Sequence, residues 1–196
     1  MEVASKVPEP NTTISPARFA HIVLYTRNFK EMVDWYCHFL GAELTASSQG
    51  LAFITYDDEH HRVAIIERPD YKDRVPDTVG MAHFAYSYDT LGDMIQQYKR
   101  LKATRVLPVR TINHGVTTSL YYRDPDDNAV EIQVDNFESI SELNDWFATG
   151  EFNKNPIGIT FDFEDIIKSY NSGVSEKELK LPRKGSAAKL MEASDR

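Results

Sequence analysis

An α+β fold, two βαβββ repeats forming one mixed-sheet module with a short helical C-terminal extension, is what this 196-residue chain predicts. Three observations carry that expectation. The dipeptide Ala20-His21 returns 62 positions later as Ala82-His83. At the same offset Phe29 meets Leu91, Met32 meets Met94, Val33 meets Ile95 and Tyr36 meets Tyr98, an apolar pattern that stays in phase without a gap, as a duplicated supersecondary unit requires. Within each copy the hydrophobic spacing is strand-like, then helical, then strand-like again.

Taken in order, the first copy opens on a run rich in β-branched and aromatic residues at 18–25, and the second on its counterpart at 81–88. A helix follows in each. Phe29, Met32, Val33, Tyr36, Phe39 and Leu40 make one apolar stripe, with Asn28 placed to cap it, Glu31 three residues on, and Gly41 placed to stop it. The second helix repeats this with Thr90, Asp93 and the stripe Leu91, Met94, Ile95, Tyr98 and Leu101. Short strands are then expected at 42–46, 51–57 and 62–67, and again at 105–110, 116–123 and 128–134, with turns at Asp57-Asp58 and Asp124-Pro125-Asp126-Asp127. The repeated module spans 17–137, as copies at about 17–70 and 80–137. A helical extension is expected at 138–172, with helices over 139–147 and 161–170. Residues 1–16 and 173–196 read as tails, the latter Lys/Glu-rich and expected to be flexible or draped on a partner.

Composition narrows the partners. Asp and Glu number 30 against 22 Lys and Arg, a net charge of −8 that disfavours nucleic acid and anionic membrane. No apolar run approaches the length that spans a bilayer, and the first residues lack the basic and apolar segments of a secretory leader. The single cysteine, Cys37, cannot form an internal disulfide. A cytoplasmic location is expected.

The chemistry is concentrated in the histidines. His38 lies off its helix's apolar stripe and is expected at the surface, and His60, His61 and His114 fall near turns. His21 and His83 occupy equivalent positions in the two opening strands, so a pseudo-twofold axis relating the copies brings them to one locus. In the last strand Glu131 shares a face with Ala129 and Gln133, opposite Val130 and Ile132, and a lone carboxylate is expensive to bury. A single strand histidine is more often a hydrogen-bonded core residue than a ligand. Two at repeat-equivalent positions, with an inward glutamate, make the two-His, one-carboxylate facial triad of non-haem Fe(II) oxygenases. In the first copy Ile65 falls roughly where Glu131 does, so one metal site is expected, not two.

The repeat, this triad and the segment from His114 through Tyr121-Tyr-Arg-Asp124-Pro-Asp-Asp-Asn128 to Glu131 resemble the vicinal oxygen chelate superfamily. Within it they look like single-domain type I extradiol ring-cleaving dioxygenases, of the 2,3-dihydroxybiphenyl or catechol 2,3-dioxygenase kind. The resemblance covers about Ala17 to Phe137 and continues more weakly through Asn155-Pro-Ile-Gly158. It implies that His21, His83 and Glu131 hold Fe(II), or alternatively Mn(II) or another divalent metal, inside the module. It further implies that Tyr121 hydrogen-bonds a catechol oxygen, that His114 faces the substrate and that His61 serves as the acid-base group beside dioxygen. Phe53, Tyr56 and Tyr86 come within reach of the metal strands by alternation. One departure is Asp127 where the family often has glycine, a turn position favouring positive φ that Asp tolerates. The implied partners are a small aromatic diol and O2, and exposed sheet edges predict a homo-oligomer. Two other readings are a divalent-metal glyoxalase, epimerase or thiol transferase, and a metal-free small-molecule binding module. The combination of His61, His114 and Tyr121 favours ring cleavage over the first, and retention of all three ligands disfavours the second.

Overall fold

The computed structural model describes residues 13–75 and 78–181, and both repeats form in the expected βαβββ order. The first comprises β1 (Ile22–Thr26), α1 (Phe29–Leu40), β2 (Glu43–Ser48), β3 (Leu51–Thr55) and β4 (Val63–Glu67). The second comprises β5 (Phe84–Ser87), α2 (Leu91–Ala103), β6 (Arg110–Asn113), β7 (Thr117–Arg123) and β8 (Ala129–Asp135). After them come α3 (Ile140–Ala148), α4 (Glu151–Lys154), β9 (Ile159–Thr160), α5 (Phe163–Asn171) and α6 (Glu176–Lys180). The strands make two sheets, ordered β1-β4-β3-β2 and β5-β8-β7-β6-β9. In each, the first and last strands of the repeat pair in parallel and the others antiparallel.

The helices determine how the repeats sit. On α1 the predicted stripe buries Met32, Val33, Tyr36 and Phe39, and on α2 it buries Leu91, Met94, Ile95, Tyr98 and Leu101. Both stripes enter one core together with Ile54, Val63 and Ile65 of the first sheet and Leu120, Tyr122, Val130 and Ile132 of the second. Phe39 stacks on Trp35, with ring centroids 4.4 Å apart, and meets Tyr122 of the other repeat edge-on at 5.0 Å. Gln97 of α2 donates to the Phe39 carbonyl, tying the helices together at the end of α1. The helix layer therefore lies between the two sheets. Phe39→Ala removes the ring that joins the repeats and is expected to cost about 3–5 kcal/mol, read as a lower urea midpoint at unchanged slope.

Local signals explain the ends of the elements. Gly41 takes φ 63 after α1, and the Thr90 hydroxyl accepts from the Asp93 N–H at the start of α2. Asn28 does sit at the α1 cap position, but its side chain makes no cap bond there; its amide donates to Asp126 at 2.7 Å across the repeats. The strand expected at 105–110 forms at Arg110–Asn113 instead, because α2 ends in a tight turn in which Arg105 takes φ 65 and Val106 N–H returns to the Leu101 carbonyl. The tail expected from 173 begins with helix α6, whose Leu179 is buried and whose Glu176 carboxylate accepts from Leu91 N–H and Gly92 N–H, each at 3.0 Å. Placing an acid at the α2 N-terminus stabilises both segments. The rest of that tail, 182–196, and residues 1–12 of the other lie outside the described residues.

Candidate metal centre

Strand β8 is buried on both faces, with Val130, Ile132 and Val134 in the shared core and Glu131 on the opposite face. Its register sets Glu131 beside Ala85 of β5 and beside Tyr121 of β7. Glu131 is only 4% exposed. His83, one residue ahead of β5, brings Nε2 to 3.0 Å from Glu131 Oε2. Burial alone would raise the Glu131 carboxyl, but hydrogen bonds from His83 and Ser119 hold it below the ordinary carboxylate range, and the bond to Glu131 raises His83 in turn. The His83 ring stands edge-on to Tyr121, centroids 5.4 Å apart.

Tyr121 leads to His114. The Tyr121 hydroxyl lies 2.8 Å from His114 Nε2, and His114 Nδ1 lies 2.6 Å from the Ile157 carbonyl. A carbonyl only accepts, so Nδ1 carries the ring proton and Nε2 is left to accept from the Tyr121 hydroxyl. Burial lowers the His114 pKa, which keeps the ring neutral. Burial, and then the Glu131 carboxylate, push the Tyr121 phenol well above its usual value, so it stays a donor. His114 sits in a braced hairpin. The Asn113 side-chain oxygen accepts from Gly115 N–H at 2.9 Å and from Asn136 Nδ2 at 3.2 Å, and the Thr118 hydroxyl donates to Asn136 at 2.8 Å.

His21 stands elsewhere. It is exposed, just before β1, and packs against His61 with centroids 4.3 Å apart. His61 stacks on Phe53 at 4.2 Å, and its Nδ1 lies 2.6 Å from Nδ1 of His60. Burial, followed by the neighbouring His21 and His60, lowers the His61 pKa. So one chain unites His83, Glu131, Tyr121 and His114, and separately unites His21 with His61. The convergence of His21 on His83 and Glu131 expected from the repeat does not form among the described residues, where both sheets pack on one shared helix core. No group of three or more His, Cys, Asp or Glu side chains suited to one cation forms among the described residues. As a donor set, a neutral imidazole and an ionised, buried carboxylate side by side fit a divalent cation in type, but they supply two of the three protein ligands of a facial triad.

Three smaller expectations also change. Register makes Ala64, which pairs with Val23, the counterpart of Glu131, rather than Ile65; both are apolar, so a single carboxylate site still follows. Tyr86 pairs beside Ile132 and faces the core, away from Glu131, and Tyr56 packs on it at 5.7 Å. His38 is half-buried, with Nε2 2.7 Å from the Thr104 hydroxyl. Asp127 does take the positive φ, at 63. The acidic turn it belongs to is structural: Asp124 Oδ1 accepts from Asn128 N–H at 2.8 Å, while Oδ2 accepts from the Tyr36 hydroxyl of α1 at 2.8 Å. Among the described residues no helix is long and apolar enough to cross a membrane.

Comparison with known proteins agrees with this architecture. The chain is 48% identical over 157 residues to biphenyl-2,3-diol 1,2-dioxygenase 2 of Rhodococcus globerulus, covering 80% of this chain and 83% of that protein. It is 43% identical over 169 residues to biphenyl-2,3-diol 1,2-dioxygenase 3 of the same organism, covering 85% and 88%. Among solved structures, a glyoxalase/bleomycin resistance protein/dioxygenase domain from Frankia sp. EAN1pec superposes with TM-score 0.53 at 18% identity, over 64% of this chain and 96% of that one. Lactoylglutathione lyase from Agrobacterium tumefaciens gives 0.50 at 19% identity, over 61% and 94%. These two likenesses concern the fold alone. A family model matches residues 18–132, the span of both repeats, and the chain belongs to the glyoxalase/bleomycin resistance protein/dioxygenase superfamily.

Proposed function

We propose that this chain is an Fe(II)-dependent extradiol dioxygenase that opens a biphenyl-type 2,3-diol, or a related catechol, next to its two hydroxyls. One observation carries the reading: a buried, ionised carboxylate, a half-exposed imidazole and a Tyr-His hydrogen-bonded pair share one sheet face. A binding pocket has no need of that donor set, and the relatives at 43–48% identity are named for this reaction. Residues 17–137 act as the catalytic module and 138–172 as the extension that carries Ile157 to His114. A reducing, cytoplasmic setting suits the free Cys37.

His83 and Glu131 are the adjacent residues that would hold the metal, with His21, which stands apart beside His61, as the third ligand the family resemblance implies; when bound the metal supplies a Lewis acid for the diol oxygens and the redox link between diol and O2. The protein's own part is proton handling. Tyr121, kept protonated by its surroundings, donates to one diol oxygen and orients the ring. His114, neutral and with Nε2 unprotonated, takes up a proton as the diol binds. His61, held neutral by burial and its histidine neighbours, serves the oxygen side. Both atoms of O2 enter the ring-opened product, so the balance needs no external reductant.

The direct test is anaerobic loading with Fe(II), then 2,3-dihydroxybiphenyl and air. A yellow product with matching O2 uptake supports the reading; stoichiometric iron with neither colour nor uptake for biphenyl-type diols or catechol overturns it. His61→Phe preserves the stack on Phe53 and removes the acid-base nitrogen. Turnover should then fall by about 10²-fold or more with metal and diol binding kept. Unchanged turnover would remove His61 from the mechanism.

A further inference from the structure

The row of side chains that carries Glu131 does not end at Tyr121. Tyr121 of β7 pairs with Glu131 of β8 on one side and with Arg110 of β6 on the other. Residues directly opposite each other on antiparallel strands share a face, so Arg110 belongs to the face of Tyr121 and Glu131. Neighbouring strands lie about 4.8 Å apart. The backbone at Arg110 is therefore about 10 Å from the backbone at Glu131, with Tyr121 between them. Two residues further along β6, Ile112 packs with Tyr121 and Ile157 in a small apolar cluster beside the row.

Arg110 is half-buried, yet among the described residues it donates no hydrogen bond and pairs with no carboxylate. The other half-buried arginines are all engaged. Arg62 holds the Asp57 carboxylate, Arg68 the Glu67 carbonyl, Arg100 the Phe39 carbonyl and Arg123 the Asp127 carbonyl. A guanidinium is a planar fork of N–H donors that matches a carboxylate two bonds at a time. Arg110 keeps that fork uncommitted on the face where the diol is to bind. Its charge also reaches the neighbouring groups: burial is the largest influence on the Tyr121 phenol and the His114 ring, and Arg110 acts on both, favouring the deprotonated form of each.

Resting on the dioxygenase reading above, we propose that Arg110 is a specificity-determining residue and that the preferred substrate is an aryl 2,3-diol bearing a carboxylate on a short arm. The order of the row sets the orientation. The diol oxygens lie at the His83–Glu131 end, Tyr121 donates to one of them, and the carboxylate receives the Arg110 fork. A neutral diol leaves the guanidinium to water, whereas an acid replaces that water with two charge-assisted bonds. The carboxylate takes no part in bond making or breaking, so Arg110 acts on binding and not on ring opening.

The test compares 3-(2,3-dihydroxyphenyl)propanoate with its methyl ester, which keeps the ring, the diol and the arm but removes the charge. Steady-state turnover of both is measured with the full chain loaded with Fe(II). Binding of both is measured by calorimetry under nitrogen with the chain loaded with Mn(II). The wild type should favour the acid. In Arg110→Gln the acid-to-ester ratio of kcat/KM should fall by about 10- to 100-fold, the range for a hydrogen bond to a charged group, and the fall should lie in KM. The ratio of the two Kd values should fall alike. Arg110→Lys keeps the charge without the fork and should recover part of the preference. The melting temperature of Arg110→Gln should match the wild type, because the side chain holds no other element in place. An acid-to-ester ratio equal in the wild type and Arg110→Gln would overturn the assignment. Relief of inhibition by the ring-opened product at an unchanged ratio would overturn it too, since Arg110 would then serve the carboxylate that ring opening creates. Calorimetry under nitrogen needs no turnover, which separates the two readings. A chain that opens neither diol, yet loses its preference for the acid in Arg110→Gln, keeps the carboxylate site and overturns the dioxygenase reading. Binding of neither probe overturns both.

Discussion

Glu131→Ala is expected to abolish turnover while leaving the metal-free fold as stable as before, or slightly more so. The carboxylate is buried, and burial on its own disfavours its charge. Its partner His83 keeps 38% of its side chain exposed, so solvent screens the pair and its contribution to folding is at most about 1 kcal/mol. Alanine removes the desolvation cost along with that small gain, so the melting temperature without metal should shift by no more than a few degrees. With metal the outcome reverses. In the wild type a divalent ion at a hundred times its Kd adds about 2.7 kcal/mol, roughly 5–10 °C for a chain of this size. That rise should vanish in the variant, and turnover should fall by about a thousand-fold or more, since metal catalysis supplies several kcal/mol. The pair of melting curves, with and without Mn(II), separates a ligand from a packing residue. A variant that loses stability without metal, yet keeps the metal-induced rise, would make Glu131 a structural carboxylate and sink the centre.

The duplicated fold was legible because its signal is physical and local. A stripe such as Met32, Val33, Tyr36 and Phe39 must be buried wherever the helix lies, and its 62-residue echo identifies the second copy. What a stripe does not encode is whose sheet lies beneath it. Phe39 packs on Tyr122 of the other repeat, so both stripes share one core, and among the described residues His21 joins no donor group with His83 and Glu131. Of the group His83, Glu131, Tyr121 and His114, the repeat singled out His83 and strand alternation turned Glu131 inward, while Tyr121 and His114 came from the family resemblance; the β5–β8 and β7–β8 registers are what bring them together. Ser119 and the Asn113–Asn136 bracing were not legible, because buried serines and asparagines look like ordinary turn and strand residues until their partners are known. Helix α6 escaped for the opposite reason: it holds with one leucine, Leu179, and one capping glutamate, Glu176, too little apolar surface to register as periodicity.

Gly158→Ala should disable the enzyme from outside the donor set. Gly158 takes φ 97, and a Cβ there would stand 2.1 Å from the Asn113 carbonyl oxygen and 2.7 Å from His114 Cα. Neither neighbour can move cheaply. Asn113 is paired in β6 with Thr118 and Ile159, and its side chain holds Gly115 and Asn136. The segment that gives way is therefore 157–160, where β9 contributes only the pairs Ile112–Thr160 and Asn113–Ile159. Left-handed strain and overpacking together should cost about 2–4 kcal/mol, read by urea titration. The functional effect should exceed what that loss of folded protein explains. As β9 peels away it takes the Ile157 carbonyl from His114 Nδ1, and without that acceptor the ring is free to place its proton on Nε2, facing the Tyr121 hydroxyl it should accept from. Turnover measured well below the melting temperature should fall by about 10- to 100-fold, the range lost when a histidine loses its orienting partner. Metal content should stay at the wild-type level, because none of the proposed metal donors lies in this segment. A destabilised variant with full turnover would mean that the proton on His114 is set by something other than the backbone of the extension.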